Sequence, residues 1–135
     1  MLLLNTTTVR SMFRRAAWIR WGLVLARLLL GKQMEDEAEI ASILDKQEKE
    51  QNDLLLRMVD EGKINKAEER LFDLLENTSW DDRHKAAVAI CFYSHVNDKD
   101  DEFLEKADFT RDEIMEGLED AMRAVHMEIP EYLRI

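Results

Sequence analysis

Helix breakers are nearly absent from this chain: four glycines and one proline in 135 residues. A β-sandwich or barrel needs a turn residue at almost every strand end, whereas long helices need few. The apolar residues are chiefly Leu, Ala, Met and Ile, which favour helix over strand. A length of 135 residues with 46% apolar content is enough for one domain with a real core. The charged fraction, 36%, exceeds the usual ~25%. The expected fold is all-α, with five or six helices.

Charge divides the chain in two. Arg10, Arg14, Arg15, Arg20, Arg27 and Lys32 give the first 34 residues a charge of +6 with no acid among them. The whole chain carries −10, which leaves −16 on the remainder. Such asymmetry suggests different tasks for residues 1–33, a basic apolar helix, and 34–135, an acidic helical body. The acidic body would repel phosphates, so nucleic acid is not an expected partner. The first helix is predicted over Thr8–Leu30, with Gly31 as its stop. Arg20 and Arg27 share one face, Arg10 and Arg14 another, and its second half is apolar nearly all round, as in helices that are buried or in lipid. Residues 16–30 resemble the hydrophobic region of a signal peptide, but Arg20 and Arg27 interrupt it and no small-x-small cleavage site follows Leu30. A membrane span needs about 20 apolar residues; here the longest charge-free run within 16–30 is Trp21–Ala26, six residues. Lying on a membrane surface is compatible with this composition. The single cysteine, Cys91, forms no internal disulfide and favours the cytoplasm.

The acidic body reads as a succession of helices. One opens near Met34 and ends at Glu61-Gly62-Lys63, with a weak polar middle over Lys46–Asp53. Gly62 is its natural left-handed cap. The next starts near Asn65, whose spacing to Glu68 is that of a capping box, and runs through Ala67, Leu71, Leu74 and Leu75. A fourth starts at Ser79 and carries Ala86, Ala87, Ile90, Cys91, Ser94 and His95 at 3–4 spacing, its alanines permitting close approach of neighbours. Asn97–Glu102 is a connection. Phe103, Leu104 and Ala107 form a short helix. Thr110 and Glu113 make a second capping box, opening a helix through Ile114, Leu118, Ala121, Met122 and Val125 that closes before Pro130. Gly117 inside this helix costs about 1 kcal/mol against Ala, which points to a close crossing there.

Gly62-Lys63-Ile64-Asn65-Lys66-Ala67, followed by Leu71-Phe72 and Leu74-Leu75, resembles the second half of a tetratricopeptide repeat, over one repeat of roughly 34 residues. A wider resemblance runs through Ala26-Arg27-Leu28-Leu29-Leu30-Gly31-Lys32, Glu61–Glu68 with Leu71-Phe72, Phe92-Tyr93, Asp101-Glu102-Phe103-Leu104 and Phe109–Leu118. On these segments the chain is similar to an uncharacterised family of small helical proteins of Firmicutes-type bacteria. Met1–Arg10 departs from the usual start of that family. The resemblance implies an all-helical, repeat-like cytosolic protein and brings no activity or catalytic residue with it.

No constellation of side chains outweighs its structural explanation. Cys91 and His95 are spaced i, i+4, with His84 on nearly the same face, but a zinc site needs about four ligands. Asp98, Asp100, Asp101 and Glu102 resemble a calcium loop in charge only, since Phe103 and Phe109 stand where Gly and Glu are required. Ser79, Asp81 and His84 are triad residue types at a helix start. No phosphate-binding, nucleophile-elbow or zinc-protease motif is present. An enzyme would need a polar pocket near His95, Tyr93 and Glu113.

The sequence therefore leads us to expect no enzyme, no cofactor, no metal site and no small-molecule substrate. The expected function is a non-catalytic protein–protein interaction or scaffold module. Its N-terminal helix would serve oligomerisation or docking through Trp18, Trp21, Leu25, Leu28 and Leu29. The competing readings are a helix that packs within its own domain and a peripheral membrane adaptor that uses the same helix, with Arg14, Arg15, Arg20 and Arg27 at anionic lipid.

Overall fold

The computed structural model describes residues 37–127. Over them the chain is helical and contains no strand: α1 Glu37–Ala41, α2 Lys46–Asp60, α3 Ile64–Asn77, α4 Asp82–Asn97, α5 Asp101–Lys106 and α6 Arg111–Ala124. The helix predicted over Thr8–Leu30 and the tail beyond Met127 lie outside the described residues.

The core is organised around α4. Every residue from Ala86 to Tyr93 is buried, and so are Val96 and Asn97. A helix apolar around its whole circumference must be covered on all sides, and α4 packs against α1, α2, α3 and α6. The other long helices bury one stripe each: Leu55 and Val59 on α2, Leu71, Leu74 and Leu75 on α3, Ile114, Leu118 and Met122 on α6.

Polar ties fix the helix directions. Glu48 near the start of α2 meets His84 near the start of α4, 36 residues on. Asp60 at the end of α2 meets His95, 35 residues on, near the end of α4. The two helices are therefore parallel. Arg70 of α3 donates to Gln51 of α2 across an antiparallel hairpin. Arg111 at the start of α6 reaches the end of α4, and His126 just past α6 comes within 3.6 Å of Asp82 at its start. So α4 and α6 are antiparallel. Two hairpins, α2–α3 and α4–α6, thus lie with their first helices side by side.

Several boundaries differ from the sequence reading. The element expected from Met34 to Glu61 is two helices, separated at Ser42–Asp45. Its weak middle is a start signal: Asp45 caps α2 by accepting from the Glu48 amide, and Glu48 accepts from the Asp45 amide, a reciprocal box. Asn65 is not a cap. It sits inside α3 and donates to the carbonyls of Ala107 and Asp108, 3.4 and 3.2 Å away. α4 is capped by Asp81 rather than Ser79. α5 begins at Asp101, capped by Asp100, within the stretch read as a connection. Thr110 does cap α6, accepting from the Glu113 amide at 3.1 Å.

Three helices end alike. Gly62 (φ 81°), Asp108 (φ 57°) and His126 (φ 61°) are left-handed. After each, the next amide bonds back into the last turn: Lys63 to Met58, Phe109 to Leu104, Met127 to Met122. This is the Schellman closure, for which Gly is the least strained residue. The sequence advertises it only at Gly62.

α1 and α5 are short, at five and six residues, far below the ~12–15 residues that an isolated helix needs. α1 is held by burial of Ile40 (2% exposed) and of Leu44 just beyond it (7%), with Ala41 and Ile43 half-buried against the core, and α5 by burial of Leu104.

Candidate functional site

The residues expected to bind a partner (Arg14, Arg15, Trp18, Arg20, Trp21, Leu25, Arg27, Leu28 and Leu29) lie outside the described residues. Within them, the titratable side chains singled out from the sequence do not converge. His84 turns to Glu48 on α2 and His95 to Asp60 at the opposite end of that helix, while Cys91 is buried between them along α4. Among the described residues no group of three or more His, Cys, Asp or Glu is arranged to hold a metal ion. The acids that resemble a calcium loop in charge only start a helix: Asp100 caps α5, and Asp101 pairs with Arg111 at 2.9 Å.

The most unusual polar geometry lies where α3, α4 and α6 cross. Tyr93 is fully buried, and its hydroxyl donates to Glu68 Oε2 at 2.7 Å. Gly117 of α6 makes room for the pair. A Cβ there would stand 2.6 Å from Glu68 Oε2 and 2.7 Å from Tyr93 Cε1, with the tyrosine hydroxyl closer still. This is the close crossing that Gly117 suggests. Phe92 and Tyr93 meet edge to face, with ring centroids 4.9 Å apart.

Burial pushes the Glu68 carboxyl above its ordinary value, and the charges of Glu113 and Asp120 add to that; the Tyr93 hydrogen bond opposes it. Burial first, then the charge of Glu68 and the hydrogen bond to it, drive the tyrosine far above its ordinary value. Such a hydroxyl keeps its proton at neutral pH and donates it in the hydrogen bond to Glu68.

A second tie closes the opposite end of α4. His84 Nδ1 donates to Glu48 at 2.8 Å (Oε1) and 3.1 Å (Oε2), and the Glu48 side chain is only 3% exposed. That carboxylate thus caps its own helix and joins it to α4. At the far end of α2, the Lys99 hydrogen bond holds the Asp60 carboxyl below its ordinary value, against partial burial, and His95 adds to the lowering. Arg111 forms a third tie. Its guanidinium donates to the Asn97 carbonyl (3.0 Å), Asn97 Oδ1 (2.9 Å) and the Lys99 carbonyl (2.8 Å), satisfying the end of α4 from the start of α6. Among the described residues, two buried polar atoms, Asn52 Oδ1 and Asn97 Nδ2, have no hydrogen-bond partner.

Sequence reasoning missed Glu48, Glu68, Asn52, Asn97 and Arg111. Only Glu48 carries a local signal, the three-residue spacing from Asp45. The others act across the fold and have none.

The Tyr93–Glu68 crossing generates two measurements. Gly117→Ala should destabilise by about 1–3 kcal/mol through overpacking, whereas in an open helix the same change would stabilise by up to about 1 kcal/mol. Adding Tyr93→Phe should recover part of the loss. Equal losses with and without the hydroxyl, by urea denaturation, would contradict the geometry. The raised Glu68 also sets a sign for pH. Its stabilising protonation is complete below the unfolded value of 4.5 and is lost as pH rises through the folded value. Glu68→Gln should therefore gain stability relative to the parent as pH rises from 4 to 7, read as a widening Tm difference; parallel profiles would refute this.

Among the described residues no helix is long and apolar enough to cross a membrane. Neither a curated protein nor a solved structure matches the chain. A family profile described as Family of unknown function (DUF6483) matches residues 19–126, a span that takes in part of the basic segment together with all the helices from α1 to α6. On that match, the chain belongs to the family of unknown function DUF6483.

Proposed function

We propose that this protein is a non-catalytic helical interaction module whose basic, apolar N-terminal segment is its oligomerisation or docking element. The observation that carries the reading is charge segregation. The first 34 residues have six bases and no acid, while residues 37–127 have 25 acids and 12 bases. A segment of that composition gains both from burying Trp18, Trp21, Leu25, Leu28 and Leu29 and from placing Arg14, Arg15, Arg20 and Arg27 against negative charge.

The body supports the non-catalytic part. Several of its inward-facing polar groups are engaged in joining helices: Glu48 with His84, Glu68 with Tyr93, Arg111 with Asn97. The parallel first helices of two hairpins, tied at spacings of 36 and 35 residues, support a tetratricopeptide-like reading, where the repeat is about 34 residues. Stacked hairpins of that kind serve as scaffolds for other proteins. A cytoplasmic setting accords with one buried, unbridged cysteine.

Light scattering coupled to size exclusion tests the reading on the full chain and on a version starting at Met34. The expected result is an assembly, or a complex with an acidic protein, that the shorter chain cannot form while staying folded and helical. Loss of helicity on truncation would instead make the segment part of the core. Anionic-vesicle binding abolished by Arg14→Glu with Arg15→Glu would replace a protein partner with a membrane surface.

A further inference from the structure

Negative charge is concentrated within the body on one helix face. From Asp112 to Asp120, α6 carries five acids (Asp112, Glu113, Glu116, Glu119 and Asp120) and no base. At 100° per residue the five fall within about 120° of arc, on the side away from the buried Ile114, Leu118 and Ala121. Asp112, Glu116 and Asp120 are exposed, and Glu113 and Glu119 half-buried. Like charges four residues apart, as in Asp112–Glu116 and Glu116–Asp120, destabilise a helix. The two bases of α6 stand at its ends: Arg111 is turned to Asp101 and the last turn of α4, and Arg123 pairs with Asp120 in full solvent exposure, where an ion pair offsets little. On α2, α3 and α4 the acids are interspersed with Lys and Arg.

We propose that this outward face of α6 receives the basic N-terminal segment of a second copy of the chain, with Arg20 and Arg27 set against Glu113 and Asp120. The inference rests on the reading that the segment assembles the chain, and it adds the surface on which the segment lies.

Spacing and composition carry the match. Arg20 and Arg27 stand seven residues apart on one face of the helix expected over Thr8–Leu30, with Leu23 and Val24 between them. Glu113 and Asp120 are also seven residues apart. Seven residues rise about 10.5 Å in any α-helix, so a single register brings both arginines to both acids. Apolar surface adjoins those acids. Ala124 follows Asp120 by one turn on α6, and Phe72 follows Glu68 by one turn on the flank of α3 that meets Gly117; both are half-buried against the core. Leu23 and Val24 gain there from burial while the arginines gain from charge. From inside the seam, Glu68 responds to the same field: burial raises its carboxyl first, and Glu113 and Asp120 raise it further.

Charge exchange in the full chain tests this, with the dissociation constant of the assembly read by light scattering over a concentration series. Arg20→Glu with Arg27→Glu should raise that constant by about tenfold or more, and so should Glu113→Lys with Asp120→Lys. All four changes together should bring it back near the parent value, because opposite charges face each other again. Glu50→Lys with Asp53→Lys, at exposed acids of α2, should leave it unchanged. If the lysine variant does not fold, Glu113→Gln with Asp120→Gln should show the same loss at smaller size. An assembly that depends on Arg20 and Arg27 but is indifferent to Glu113 and Asp120, or losses that add without recovery, would overturn the α6 face while the reading of the segment stands. A chain that stays monomeric at every concentration would overturn both, and a Tm lost and regained through the same exchange would then assign the face to the chain's own segment.

Discussion

The burial of α4 on every side is the constraint on which the rest depends. A helix satisfies its own backbone groups, so it can be surrounded without orphaned amides. What it needs from its sequence is an apolar circumference and small residues wherever neighbours come close. Ala86, Ala87, Ala89 and Ala67 of α3 are all fully buried, and Gly117 lets α6 approach within the width of a methyl group. Larger side chains at these points would push the neighbouring helices outward.

Polar groups then set the register that apolar packing alone leaves loose. Both ends of α4 are tied to α2, through His84 and His95, and its last turn is also tied to α6, where Arg111 holds Asn97. The Tyr93 hydroxyl ties the middle of α4 to α3. These ties are not free of cost. Glu68 is held among other carboxylates, and Asn52 and Asn97 each leave a buried atom unpaired, at about 1–3 kcal/mol per unsatisfied group. Directional ties of this sort contribute to the choice of one arrangement over its neighbours more than to total stability. In an acidic body they also engage carboxylates that would otherwise suggest chemistry.

How much of this was legible in the sequence depends on the range of each interaction. Helical periodicity and the scarcity of breakers gave the fold class, because both are local. Thr110 and Gly62 marked helix ends correctly, since a cap and a left-handed turn are set by adjacent residues. Asp45 was locally legible too, yet was obscured by the polar residues around it. Asp108 and His126 close helices as Gly62 does, but neither residue type signals a left-handed turn as glycine does. Glu68 and Asn65 show why the rest was hidden. Their three-residue spacing mimics a capping box, while their side chains serve contacts 25 and 42–43 residues away. Of the candidate site, Gly117 alone pointed to the crossing, and nothing local named its partners.

Hydrogen exchange read residue by residue tests the central role of α4 most directly. If the body is built around this helix, the amides from Ala86 to Tyr93 should be the slowest in the protein and should exchange only by global unfolding, with a common dependence on denaturant. If the slowest amides lie instead in the α2–α3 hairpin, and those of α4 exchange earlier through a local opening, then α4 is not the element that holds the others in place.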